Sequence, residues 1–287
     1  MHARVFSALS LFLLANLALA APLDDAIALY KERKLTEARL ALETITAAEP
    51  KNAAACYYLG LTLVRTHDPA LLENAVSWFD QAVQLEPTRT DYLFEYGGSS
   101  LDLAKIKHSL GAATRGREAL EKLLTLDPDH LDAHEALYQF FGQAPWPLGS
   151  ASKANAHLEA IQKRDPDRAR LLAIVAKTNA KDFAAAFQLC SDGLVQKPDD
   201  YNLSLQYGRI AIISGQNLET ALATLRRCLG LTQPPKSPGP AFVHWRIGAV
   251  LEKMGDKDGA RKAYETSVEL DPHFTSASDS LNKLKQN

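Results

Sequence analysis

His130 and His134, in "DPDHLDAHEALY", stand four residues apart, a spacing that puts two imidazoles on one helix face and would make half of a zinc site. No third ligand accompanies them and the HExxH pattern is absent, so the stretch reads as an ordinary helix start after proline. The glycines of "EYGGSS" precede Ser99 and Ser100, but the chain holds no GK[ST] phosphate cradle and no G-x-S-x-G nucleophile elbow. Cys56, Cys190 and Cys228 form neither an even set nor a metal-type spacing. Buried thiols are the plainer reading, with a Cys190–Cys228 bridge as the alternative. Without a nucleophile beside a base or a cofactor motif, the residues point away from catalysis, and neither metal nor cofactor is expected.

The elements that would position any site come next. The 287 residues include 32 basic and 34 acidic side chains, interleaved rather than clustered, so no nucleic-acid partner is expected. The opening "MHARVFSALSLFLLANLALA" joins Arg4, an apolar stretch from Val5 through Leu14, and small residues at Ala18 and Ala20. That is the pattern of a bacterial secretory signal peptide over residues 1–20, too short in its apolar part to span a membrane. It predicts a mature chain that starts at Ala21 and is periplasmic or secreted, with no cysteine there to take a lipid.

Beyond it, apolar-periodic segments end on proline again and again: "ITAAEP", "AVQLEP", "LLTLDP", "IQKRDP", "LVQKP" and "SVELDP". With Pro234 or Pro235 filling the one wide gap, Pro50, Pro87, Pro128, Pro166, Pro198 and Pro272 mark a seven-fold array, its period near the ~34 residues of a helix-turn-helix repeat. In "HWRIGAVLEKMGDKDGARKAYETSVELDP", Gly248 and Ala260 are small where two helices must approach, Gly255 sits at the turn, and Pro272 cannot continue the helix before it. Leu59-Gly60, Ala75, Phe79 and Ala82 play the same parts near the start, as do Tyr207-Gly208, Gly215, Ala221 and Leu225 further on, while Arg33 replaces the turn glycine of the first repeat.

With these residues the chain resembles the tetratricopeptide repeat family over residues 22 to 272. The resemblance implies an all-α fold, a right-handed α-solenoid of about seven helix pairs over residues 21–287, closed by a capping helix at 274–287. Enlarged turns within repeats are expected near 65–74, 103–116 and 142–153. The last holds "FGQAPWPLGSASKA", whose Pro145, Pro147 and Gly149 exclude a helix interior, so Trp146 stands on a rim loop. That loop is similar to one in exported bacterial members, among them the component associated with tripartite solute transporters, at Ala144-Pro145, Gly149-Ser150 and Lys153-Ala154; it departs at Trp146 and Pro147. Trp146 is expected to pack the loop onto the helix ends rather than to face a partner.

In the family, first-helix positions 2, 5, 9, 12 and 13 line the concave groove. Carried over to this sequence, they are Tyr30 and Lys31, Tyr57 and Arg65, Asp91 and Phe94, Glu135 and Gln139, Arg170 and Lys177, Asn202 and Arg209, and Trp245 and Lys253. Rings and cations on one wall suit an extended peptide, whose apolar side chains and carboxylates they would take. The implied function is a non-catalytic scaffold binding a protein or peptide partner; the alternative is an extracytoplasmic binder of a small organic solute.

Overall fold

The structure, a computed structural model, describes residues 23–145 and 147–286; the expected signal peptide and Trp146 lie outside the described residues. Helices follow one another without a strand among these residues. Two compact units divide the chain, the first up to Ile161 and the second from Gln162.

In the first unit the pairs are α1 (23–31) with α2 (Leu35–Ala48), α3 (Ala53–Arg65) with α4 (Leu72–Leu85), α5 (Thr90–Lys107) with α6 (Leu110–Leu126), and α7 (Leu131–Gln143) with α8 (Ala151–Arg164), the last turn of which runs past Ile161. In the second they are α9 (Pro166–Asn179) with α10 (Phe183–Gln196), α11 (Tyr201–Ser214) with α12 (Leu218–Cys228), and α13 (Pro240–Met254) with α14 (Lys257–Leu270), followed by α15 (Thr275–Gln286). This is the all-α solenoid that the repeat pattern implies.

Four of the pairs close where a glycine on the first helix, Gly60, Gly97, Gly208 or Gly248, receives a large side chain of the second. A Cβ on Gly60 would stand 2.6 Å from the Phe79 ring, one on Gly97 2.6 Å from Leu120, and one on Gly248 2.5 Å from Tyr264. Phe79, Leu120 and Tyr264 are almost wholly buried as a result. Carboxylates and amides start the helices: Asn52, Asp165, Asp182, Asp200 and Asp256 each accept a backbone N–H three residues on. Where the chain must turn sharply, Gly215 and Gly255 adopt positive φ, and so does Arg33 at +62°.

Packing between pairs sets an inner row. First helices touch their neighbours of the same kind, α3 on α5 and α5 on α7 in one unit, α9 on α11 and α11 on α13 in the other. No two second helices make a comparable contact among the described residues. Within each unit the first helices therefore line the concave side.

The enlarged turns differ from one another. Between α3 and α4 a short 3-10 turn, Pro69–Leu71, fills the extra length. The expected turn over 103–116 is instead almost all helix: α5 and α6 run to 18 and 17 residues and leave only His108 and Ser109 between them. No proline interrupts "LAKIKHSLGAATRG", so the added residues continue both helices. His108 takes the left-handed conformation and Ser109 Oγ accepts the Ala112 N–H. The loop after α7 is compact, with Leu148 and Gly149 N–H donating to the Pro145 carbonyl and Ser150 N–H to that of Phe141. A Cβ at Gly149 would run into the Ala144 carbonyl oxygen, which fixes glycine there.

Candidate functional site

On the inner row of the first unit, four of the expected groove residues come together. Tyr30 of α1 meets Tyr58 of α3 edge to face at 5.7 Å, and Tyr57, the next residue on α3, stacks on Tyr92 of α5 at 4.5 Å. Arg65 lies 4.7 Å above the Tyr30 ring and Arg89 4.5 Å above that of Tyr92. Phe94 continues the wall toward α7, its ring 5.1 Å from His130. Tyr58, Tyr92 and Glu95 were not singled out in the sequence; Glu95 adjoins Phe94 and lies one turn on from Asp91, a single position off the expected register.

Charge on this wall is uneven. Asp91 is held by Arg89, whose Nε and Nη2 donate to its two oxygens at 3.0 and 2.7 Å. Among the described residues Glu95 has no such partner: burial first, and Asp91 second, push its carboxyl up from the ordinary range. The Tyr57 hydroxyl is also pushed up, by burial and then by Glu95 and Asp91. Gly98, one turn beyond Glu95, has nothing within 4 Å of where a Cβ would sit, so the helix face there is open.

Gln139 stands further along, donating to Glu135 at 3.0 Å and lining a cavity of about 310 Å³. Leu101, Ala104 and Leu110 form one side of that cavity, and Phe140, Pro145 and Leu148 the other. It is an apolar recess between the α5–α6 turn and the rim loop.

In the second unit five of the expected groove residues, Arg170, Lys177, Asn202, Arg209 and Trp245, are already bonded within the protein. Arg170 turns away from the groove into its own helix pair, where Nη2 donates to Gln196 Oε1 of α10 at 2.9 Å, because the small Gly193 leaves room for it. Lys177 bridges to Asp182 at the turn, at 3.0 Å. Asn202 accepts from Ser237 Oγ in the linker after α12, and Arg209 reaches Asn179 Oδ1 at 3.4 Å. Trp245 is taken up by the terminal helix, its indole N–H donating to Ser280 at 3.1 Å and its ring meeting Phe242 and Phe274.

The imidazoles of α7 do not pair with each other. His130 Nδ1 accepts the Ala133 N–H as a helix cap. His134 Nε2 stands 3.0 Å from the Pro128 carbonyl and its Nδ1 2.9 Å from His157 Nδ1 of α8. The carbonyl only accepts, so Nε2 carries the His134 hydrogen, and His157 Nδ1 must donate to His134 Nδ1. No group of three metal-ligating side chains exists among the described residues. Cys56, Cys190 and Cys228 are all free and buried, so the bridge considered for the last two is not formed.

Family models of the tetratricopeptide repeat match residues 23–90 and 241–274. Those two segments match tetratricopeptide repeats. A crystal structure of a tetratricopeptide repeat protein from Parabacteroides merdae is similar over 94% of this chain and 99% of that one, with 16% identity and a TM-score of 0.64. Yeast Tom70 is similar over 88% of this chain and 52% of its own, at 17% identity and a TM-score of 0.64, so this chain spans about half of that protein's chain. At such identities the likeness is one of fold. Comparison with curated proteins finds no match. The repeat is a scaffold for protein interaction, and among the described residues no helix is long and apolar enough to cross a membrane.

Proposed function

We propose that the chain is a non-catalytic periplasmic scaffold that binds a protein or peptide partner on the inner row of its first helices. The observation that carries this reading is the wall from Tyr30 to Phe94: aromatic faces from three successive first helices, partly exposed, flanked by guanidinium groups. Export rests on the signal-like opening of the sequence.

A photo-crosslinking residue in place of Phe94 tests it, with the same residue at Leu40, 68% exposed on α2, as control. Irradiation of cells should give one defined protein adduct at position 94 and none at 40. No adduct at either position overturns the proposal, as does a chain that osmotic shock fails to release.

The apolar recess favours a second reading, an extracytoplasmic binder of a small organic solute. Ala144 and Pro145, which carry the similarity to transporter-associated proteins, line it, and about 310 Å³ is at the small end of ligand pockets. In that case solutes raise the melting temperature while position 94 yields no adduct.

A further inference from the structure

We infer that Glu95, which follows Phe94 on the first helix α5, is a subsite for a cationic side chain, lysine or arginine, of an extended partner peptide. The inference rests on the peptide-scaffold reading and names the chemistry of the partner at that wall.

Charge beside Glu95 is unbalanced. A carboxylate withdrawn from water is stable when a cation or several N–H donors replace its hydration. Glu95 is half-buried, yet no hydrogen bond or ion pair reaches its oxygens among the described residues. The guanidinium of Arg89, at the start of the same helix, is committed to Asp91 in a two-pronged bond and to the face of Tyr92. Asp91 adds a second negative charge on the same face of α5, one turn back. The site is therefore short of one positive charge.

Its walls suit that charge. Ring faces carry negative potential and attract a guanidinium or ammonium within about 6 Å. The same wall already holds guanidinium groups in this way, over Tyr30 and over Tyr92. Between those two places Tyr57 stands within reach of the Glu95 charge, and Arg89, which holds Asp91 and covers Tyr92, is spent. Gly98 leaves bare backbone one turn further on, so a chain laid along α5 meets no side chain there. An anionic or purely apolar peptide would leave the carboxylate unpaired and more deeply desolvated.

Glu95→Gln separates a binding role from a structural one. If Glu95 supported the fold, losing its charge would lower the melting temperature. As an unpaired, desolvated carboxylate it should do the reverse, so the variant melts at or above the parent. Fluorescence anisotropy with the full chain would use three capped peptides that differ only in carrying lysine, norleucine or glutamate. The lysine peptide should bind best to the parent and lose about tenfold in affinity to Glu95→Gln, the scale of a partly desolvated ion pair. Glu95→Asp should recover part of that loss. Equal binding of the three peptides, or unchanged affinity of the variant for the lysine peptide, overturns the inference. If the adduct at position 94 forms undiminished in Glu95→Gln, the cation subsite fails and the scaffold reading survives. If the lysine peptide binds through Glu95 while position 94 yields no cellular adduct, the subsite stands and the scaffold reading fails.

Discussion

The inner rows of the two units are built from the same repeat and end in opposite states. In the second, Arg209 bonds Asn179, Trp245 bonds Ser280 and the buried Arg246 donates to the Leu205 carbonyl, so these side chains are spent within the protein. In the first, Tyr30, Tyr57, Tyr58 and Phe94 meet other rings or a cation, and among the described residues Glu95 is left without a partner. Bonded polar groups hold a wall together; half-exposed rings and an unpaired charge hold binding energy in reserve. On the proposed reading, one row carries stability and the other recognition.

The largest expected effect tests that division directly. Trp245→Ala removes a ring packed on Phe242 and Phe274 together with a hydrogen bond to α15, and should cost about 2–3 kcal/mol in urea unfolding. Phe94→Ala, on a half-exposed ring, should cost about 1 kcal/mol in the same measurement while abolishing partner capture. Equal costs would erase the distinction. Next comes a pair of helix glycines. Gly248→Ala pushes a methyl into the Tyr264 ring and should destabilise by about 2 kcal/mol. Gly98→Ala meets open space and should stabilise by about 1 kcal/mol through helix propensity alone, while narrowing the path beside Glu95.

A smaller effect follows from His157. Burial, His134 and Lys153 push its imidazole down to about 4 from the ordinary 6.5. Below pH 6.5 the unfolded chain takes up a proton that the folded chain refuses, so stability falls as pH drops from about 6.5 toward 4. Allowing for solvent screening of a half-exposed ring, the loss should be about 1 kcal/mol, read as a lower urea midpoint at pH 5 than at pH 7.5. His157→Phe should flatten that part of the profile. His244 of the second unit is lowered by burial alone and contributes with the same sign.

Much of the fold was legible because its rules are local. Gly60 with Phe79 and Gly248 with Tyr264 each lie within one helix pair, and proline after each pair marks the period. The surplus residues at 103–116 were legible as length but not as helix, since a longer loop and two longer helices add the same number of residues. Of the site, Tyr30, Tyr57 and Phe94 could be placed from register. What lay hidden was which polar group spends itself on which neighbour. Asn202 and Ser237 are 35 residues apart, as are Trp245 and Ser280, and no pattern in sequence pairs them. Glu95 escaped notice for the same reason: its isolation depends on Arg89 choosing Asp91.

The smallest effect concerns the turns between paired helices, where both units depart from glycine. Arg33 ends α1 with φ +62° and Lys181 stands before α10 with φ +59°, whereas Gly215 and Gly255 fill the equivalent sharp turns elsewhere. A side chain in the left-handed region crowds its own carbonyl, a cost glycine does not carry, although glycine loses more backbone entropy on folding. The balance should leave Arg33→Gly and Lys181→Gly each more stable by about half a kcal/mol. Arg33 is exposed and Lys181 likewise, so neither substitution removes packing. The gain should be equal in the two units, because turn strain is indifferent to what the inner row does. A stability loss for Arg33→Gly alone would mean that this side chain has work on the first unit's wall, extending the recognition surface to the turn after α1.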